Sequence, residues 1–176
     1  MSYNIVQTSK ESSIEVNLLV SILIRYPQIS SINFETDSNS LNLTFLINQD
    51  LSNETHLEIK DLIEKSMNFY HDLKNIENKF FNVKITTFDK ITLINIIRDV
   101  PTLSCNEISL IIKLLDNQFN DDLISDMLSD DLSNIEDIIN HDKIIEDLLN
   151  NMGRKATINK NLVGIREDGR VFVFNK

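Results

Sequence analysis

The chain has 176 residues, 41% apolar and 25% charged, with a formal net charge of -10, which is the composition of one globular domain or of two small ones. All three glycines (Gly153, Gly164, Gly169) fall in the last 24 residues, so residues 1–152 lack the flexible positions of a phosphate-cradling loop, and Walker or dinucleotide-binding sites are disfavoured. No basic-then-apolar leader opens the chain, and its longest uncharged apolar run, VNLLVSILI, is far below the roughly 18 residues of a membrane helix, so a cytoplasmic protein without membrane contact is expected.

Ser12 followed by Glu15 has capping-box spacing, and the IEVNLLVSILIRY that follows predicts a buried helix from Ser13 to Tyr26, ended by Pro27. ISSINFETD and SLNLTFLIN, rich in β-formers and joined by DSNS, predict a hairpin with one wet face. From Asn53 to about Asn75, the residues Ile59, Leu62, Ile63, Met67 and Tyr70 recur at three- and four-residue spacing, the stripe of an amphipathic helix. FFNVKITTF at 80–88 returns as a strand. This order predicts an α+β sandwich over residues 1–100, with helices on one face of a mostly antiparallel sheet. KITLINIIRDV at 90–100 reads equally as a strand or a short helix, and a boundary at Pro101 sets off residues 101–176.

In that second part Ser104 with Glu107 opens ISLIIKLLDNQF, and Ser133 with Glu136 opens IEDIINHDKIIEDLLNNM. DDLISDMLS between them predicts a shorter helix from Asp121 to Ser129, and Gly153 a left-handed helix end. NLVGIREDGRVFVFNK closes the chain as a β-hairpin. With Asp168-Gly169 as a primed turn, Glu167 faces Arg170, Ile165 faces Phe172 and Val163 faces Phe174, all on one side. The other side carries Leu162, Gly164, Arg166, Val171, Val173 and Asn175. A lone ribbon is marginal in water, so one face must pack on the helices or extend another sheet. Ile165, Phe172 and Phe174 are expected to decide that docking.

Charge is polarised along the chain. Residues 116–149 hold eleven carboxylates against Lys143 alone, and residues 151–176 hold six bases against Glu167 and Asp168. The basic tail is expected to fold back over the acidic helices, although exposed pairs contribute only ~0.2–1 kcal/mol each. Three helices and a hairpin with a DGR tip, over 104–176, resemble a winged-helix module. The resemblance implies a third helix in the DNA major groove, where Glu136, Asp137, Asp142, Glu146 and Asp147 would meet phosphates that reward lysine and arginine. Nucleic acid is therefore disfavoured as a partner. The N-terminal element order is also similar to that of the alkaline-shock protein family, but many small sandwiches share it, so no family follows.

Catalytic constellations do not emerge. His71-Asp72 and His141-Asp142 are sequence neighbours that point apart on a helix, and His56 stands alone. Cys105 is expected to be a buried, inert thiol, and the Asp121-Asp122 and Asp130-Asp131 pairs lack the glycine and terminal glutamate of a calcium loop. The reading is a non-enzymatic interaction module without cofactor or metal, whose partner is another protein or a second copy. Its expected contact residues are Asp121, Asp122, Asp130 and Asp131 toward a basic partner and Arg166, Arg170, Phe172 and Phe174 on the hairpin. The alternatives are a winged-helix-type regulator touching nucleic acid through Arg166 and Arg170, and a metal-assisted hydrolase built on the aspartates.

Overall fold

The computed structural model describes residues 13–126, 135–153 and 156–176. Helix α1 (Ile14–Arg25) starts at Ser13, whose hydroxyl accepts the Val16 amide hydrogen at 3.2 Å. The cap sits one residue later than the Ser12–Glu15 spacing predicts, and Ser12 itself lies outside the described residues. Glu15 is thereby free of capping duty. It turns inward, fully buried, to accept hydrogen bonds from the amide and hydroxyl of Thr157 at 2.6 and 2.7 Å.

Strands β1 (Ser31–Glu35) and β2 (Ser40–Ile47) form the expected hairpin. Helix α2 (Asn53–Lys74) runs from its Ser52 cap to a left-handed Asn75 and turns Ile59, Ile63, Met67 and His71 inward. Strands β3 (Phe81–Phe88) and β4 (Ile91–Asp99) follow. The ambiguous stretch at 90–100 is thus a strand over 91–99, with Val100 opening a 3₁₀ turn. It pairs with β2 from Ser40↔Asp99 to Ile47↔Thr92 and with β3 from Phe81↔Arg98 to Phe88↔Ile91. Neighbours on both sides satisfy its backbone groups, and Thr92, Ile94, Ile96 and Arg98 turn to the core while Ile91, Leu93, Asn95 and Ile97 keep some exposure.

Helix α3 (Cys105–Phe119) opens at Ser104 as the spacing predicts. The short helix expected over 121–129 is absent from its described part. A single 3₁₀ turn, Asn120–Asp122, gives way to extended chain, because the end of β2 offers backbone partners. There the Ile124 amide donates to the Leu46 carbonyl at 2.9 Å, and the Asn48 amide to the Asp122 carbonyl at 2.8 Å. Ser133, the cap expected for the next helix, lies outside the described residues. Helix α4 (Ile135–Met152) ends at Gly153, whose φ of 59° is the left-handed conformation expected there.

Strands β5 (Leu162–Glu167) and β6 (Arg170–Asn175) pair in the register written from the sequence, with Asp168 and Gly169 at φ of 48° and 72° as a primed turn requires. β5 also pairs with β1, from Ser31↔Ile165 to Phe34↔Leu162. The hairpin therefore extends the N-terminal sheet, and all six strands form one antiparallel sheet in the order β3-β4-β2-β1-β5-β6. The class is α+β.

Pairing parity decides which hairpin face is buried, and it is not the one with the larger side chains. Ile32 stands opposite Gly164 and Phe34 opposite Leu162, which commits the lesser face to the core with Val171 and Val173. Gly164 makes this face fit, since a Cβ there would stand 2.9 Å from Leu23 Cδ1 and 3.5 Å from Leu19 Cβ, so α1 lies almost on the strand. Phe172 and Phe174 instead stack on the opposite face, centroids 6.2 Å apart, with Phe174 51% exposed. The hairpin packs on α1 and pairs with β1.

Candidate functional site

The two hairpin arginines have opposite fates. Arg166 is drawn under the end of α1, where Nη1 donates to the carbonyls of Pro27 and Ile29 at 3.0 and 2.8 Å. Its Nη2 donates to Tyr26 O at 3.3 Å and to Leu23 O. Carbonyls left over at a helix C-terminus are negative and unpaired, and a guanidinium fork satisfies several at once. Burial pushes the Arg166 pKa down, against the opposing field of Asp126. Arg170, next to the turn, is exposed, as is Phe174, while Phe172 is half-buried.

Of the aspartates, Asp122 is engaged inside the molecule. Its carboxylate accepts from Gln49 Nε2 and its carbonyl from the Asn48 amide. Asp121 is exposed beside it, and Asp130 and Asp131 lie outside the described residues.

Helix α4 carries the acidic face. Ile145, Leu149 and Met152 anchor it, and Asp142 and Glu146 bind neighbouring helices. Asp142 binds Arg25 Nε of α1 at 2.7 Å, and Glu146 accepts the Cys105 amide hydrogen at 2.7 Å, capping α3. The solvent side interleaves exposed Glu136, Asp137 and Asp147 with Ile135, Ile139 and Ile144, which are 72%, 59% and 48% exposed. Lys143 is the single base on this helix.

Cys105 is buried. Its burial and the nearby Glu146 and Asp142 carboxylates push the thiol pKa up to about 12, the reverse of what nucleophilic activation requires. Tyr26 is likewise pushed up, chiefly by burial, while its hydroxyl lies 3.3 Å from Ser109 Oγ.

A buried ionic cluster had no clear signal in the sequence. Arg98, Asp99 and Glu107 are each fully buried, and His71 is 3% exposed. Arg98 binds Glu107 through Nε and through Nη2, the latter at 2.9 Å, and Nη1 binds Asp99. Thr102 donates to Asp99 Oδ2 at 2.7 Å and accepts from Arg98 at 3.0 Å. His71 Nε2 stands 3.1 Å from Glu107 Oε1, while Nδ1 lies 2.9 Å from Asn78 Nδ2. Asn78 Nδ2 can only donate, so Nδ1 accepts and the ring hydrogen sits on Nε2, which lies close to Glu107 but makes no hydrogen bond there. The cluster ties α2, β4 and α3 together. Glu107 was legible only as a capping-box residue, and its helix does open at Ser104, but the carboxylate points inward.

Among the described residues, no three His, Cys, Asp or Glu side chains are placed to hold a metal ion, and no helix is long and apolar enough to cross a membrane. Fold and surface together define the class: an antiparallel sheet with helices packed on one face, a stacked aromatic pair on the other, and an acidic helix at the periphery. No protein-family model, curated protein or solved structure matches the chain.

Proposed function

We propose that this chain is a non-enzymatic protein-interaction module that takes a basic amphipathic segment of a partner protein on the solvent side of α4. One observation carries the reading: isoleucines 72%, 59% and 48% exposed are interleaved with carboxylates on a single helix. Exposed isoleucine supplies apolar contact, and the surrounding negative field raises the encounter rate with a cation and turns away polyanions. The hairpin contributes Arg170 and the stacked phenylalanines as a separate surface. Nucleic acid binding through the hairpin has less support, since Arg166 is held on the carbonyls of α1.

The test is a pull-down from nuclease-treated native lysate, with the protein compared to a variant carrying Glu136→Lys, Asp137→Lys, Asp147→Lys and Ile139→Ser. A protein retained by the original chain after digestion and lost by the variant supports the reading. Identical capture by both, or loss of all captured species on digestion, refutes it.

A further inference from the structure

Beyond the α4 surface, the sheet has a second feature that a folded monomer leaves unused. β3 is an edge strand, and among the described residues nothing pairs with its outer side. Alternate backbone N–H and C=O groups along Phe81–Phe88 therefore point away from β4 without a strand partner. Beside that edge, α2 and β3 border an open groove of about 470 Å³. Its apolar lining is Leu57, Val83 and Ile85, and its charged lining is Lys60 and Lys84 with no carboxylate among the lining residues.

The groove is held in shape from one end. His56 Nε2 lies 2.8 Å from Thr87 Oγ1, which lies 2.8 Å from Thr92 Oγ1, and Thr92 donates to the Gln49 carbonyl at 2.8 Å. This chain of polar contacts fixes the start of α2 against the β3–β4 hairpin. Leu57 is 70% exposed on the rim, an apolar side chain with room for a partner above it. Lys60 lies 3.7 Å from Glu64 on its own helix, and Lys84 has no ion-pair partner among the described residues.

We infer that this groove is a docking site for an acidic, extended segment of a partner polypeptide, which adds to the edge of β3 as a seventh strand. Charge and parity choose the occupant. Residues directly opposite one another in an antiparallel pair lie on the same face, so a partner residue opposite Lys84 stands on the open face and one opposite Val83 or Ile85 stands over the apolar groove. A strand alternating carboxylate with a β-branched residue satisfies both sides. A second copy of this chain does not, because its own free edge strands, FNVKITTF of β3 and RVFVFN of β6, hold no carboxylate to set against Lys84. Lysine at the centre of an edge strand repels its own kind and leaves an acidic strand as the complement.

The probe is a fluorescein-labelled nonapeptide of alternating valine and glutamate, titrated by fluorescence anisotropy against the full chain at low salt. Controls are the same peptide with alternate backbone nitrogens methylated and a valine-lysine analogue. The expected result is saturable binding that weakens with added salt and falls about tenfold or more in Lys84→Glu and in Lys60→Glu. N-methylation abolishes it, and Lys84→Glu gains affinity for the lysine analogue. Four results would each overturn the inference: no binding up to about 1 mM, equal binding of both peptides, indifference to methylation, or a concentration-dependent dimer of the chain that Lys84→Glu dissolves. Lys84 is exposed, and an unchanged circular dichroism spectrum of the variant separates loss of docking from loss of fold.

Discussion

Replacing Arg166 by alanine tests the arrangement most directly, because it removes the one side chain that closes the end of α1 without touching the apolar core. The guanidinium bonds four carbonyls: Ile29 O at 2.8 Å, Pro27 O at 3.0 Å, Tyr26 O at 3.3 Å, and Leu23 O. Hydrogen bonds from a charged donor contribute about 1.5–3 kcal/mol each. The site is half-buried, so water reaches some of the abandoned carbonyls, and only the bonds to Ile29 and Pro27 at the lower value are counted. Arg166→Ala is then expected to cost about 3 kcal/mol. At about 2–4 °C per kcal/mol for a chain of this size, the melting temperature falls by roughly 6–12 °C. Urea unfolding followed by circular dichroism should show a lower midpoint with an unchanged slope. Arg166→Lys should recover only part of the loss, since one ammonium cannot span carbonyls on both sides of the helix end. Arg170→Ala, on the same hairpin but exposed, should stay within about 0.5 kcal/mol. A loss below about 1 kcal/mol for Arg166→Ala, or equal losses for the two alanine variants, would refute the helix-closing role.

In the buried cluster, Arg98→Met strands the carboxylates of Asp99 and Glu107 and is expected to cost about 3–5 kcal/mol, more than Glu107→Gln, which leaves Arg98 paired with Asp99; the reverse order in urea unfolding would defeat this account. Burial raises the Glu15 pKa, but hydrogen bonds from the Thr157 hydroxyl and amide, its own amide and the Ser13 hydroxyl outweigh it and hold the group below the usual glutamate value. Its contribution is therefore complete above that usual value and lost as pH falls through the lower native one. Thr157→Val should accordingly flatten the acid limb of stability against pH, and an unchanged limb would count against it. The Cys105 thiol, pushed up to about 12 chiefly by burial, should resist iodoacetamide at pH 8 in the native state and react once urea unfolds the chain; stoichiometric labelling of the folded protein within minutes would contradict this burial.

What local chemistry governs was readable in the sequence. Ser104 caps its helix, Gly153 ends another, Asp168-Gly169 sets the terminal hairpin's register, and the spacing of Ile59, Ile63 and Met67 marks the inward face of α2. Each depends on residues within a few positions of one another. Three features were settled only by distant partners. Residues 91–99 became a strand because β2 and β3 flank them, and the hairpin buried its smaller face because β1 set the parity and Gly164 admits α1. Arg166 left the set of hairpin contacts for the same reason, since the carbonyls it serves belong to residues 23–29, more than a hundred positions away. Composition and periodicity determined the class, much of the element order and two of the helix ends, Ser104 and Gly153. Which face of an element is wet, and which charges are consumed inside, depend on pairings between remote segments, and those arise only when the sheet is assembled.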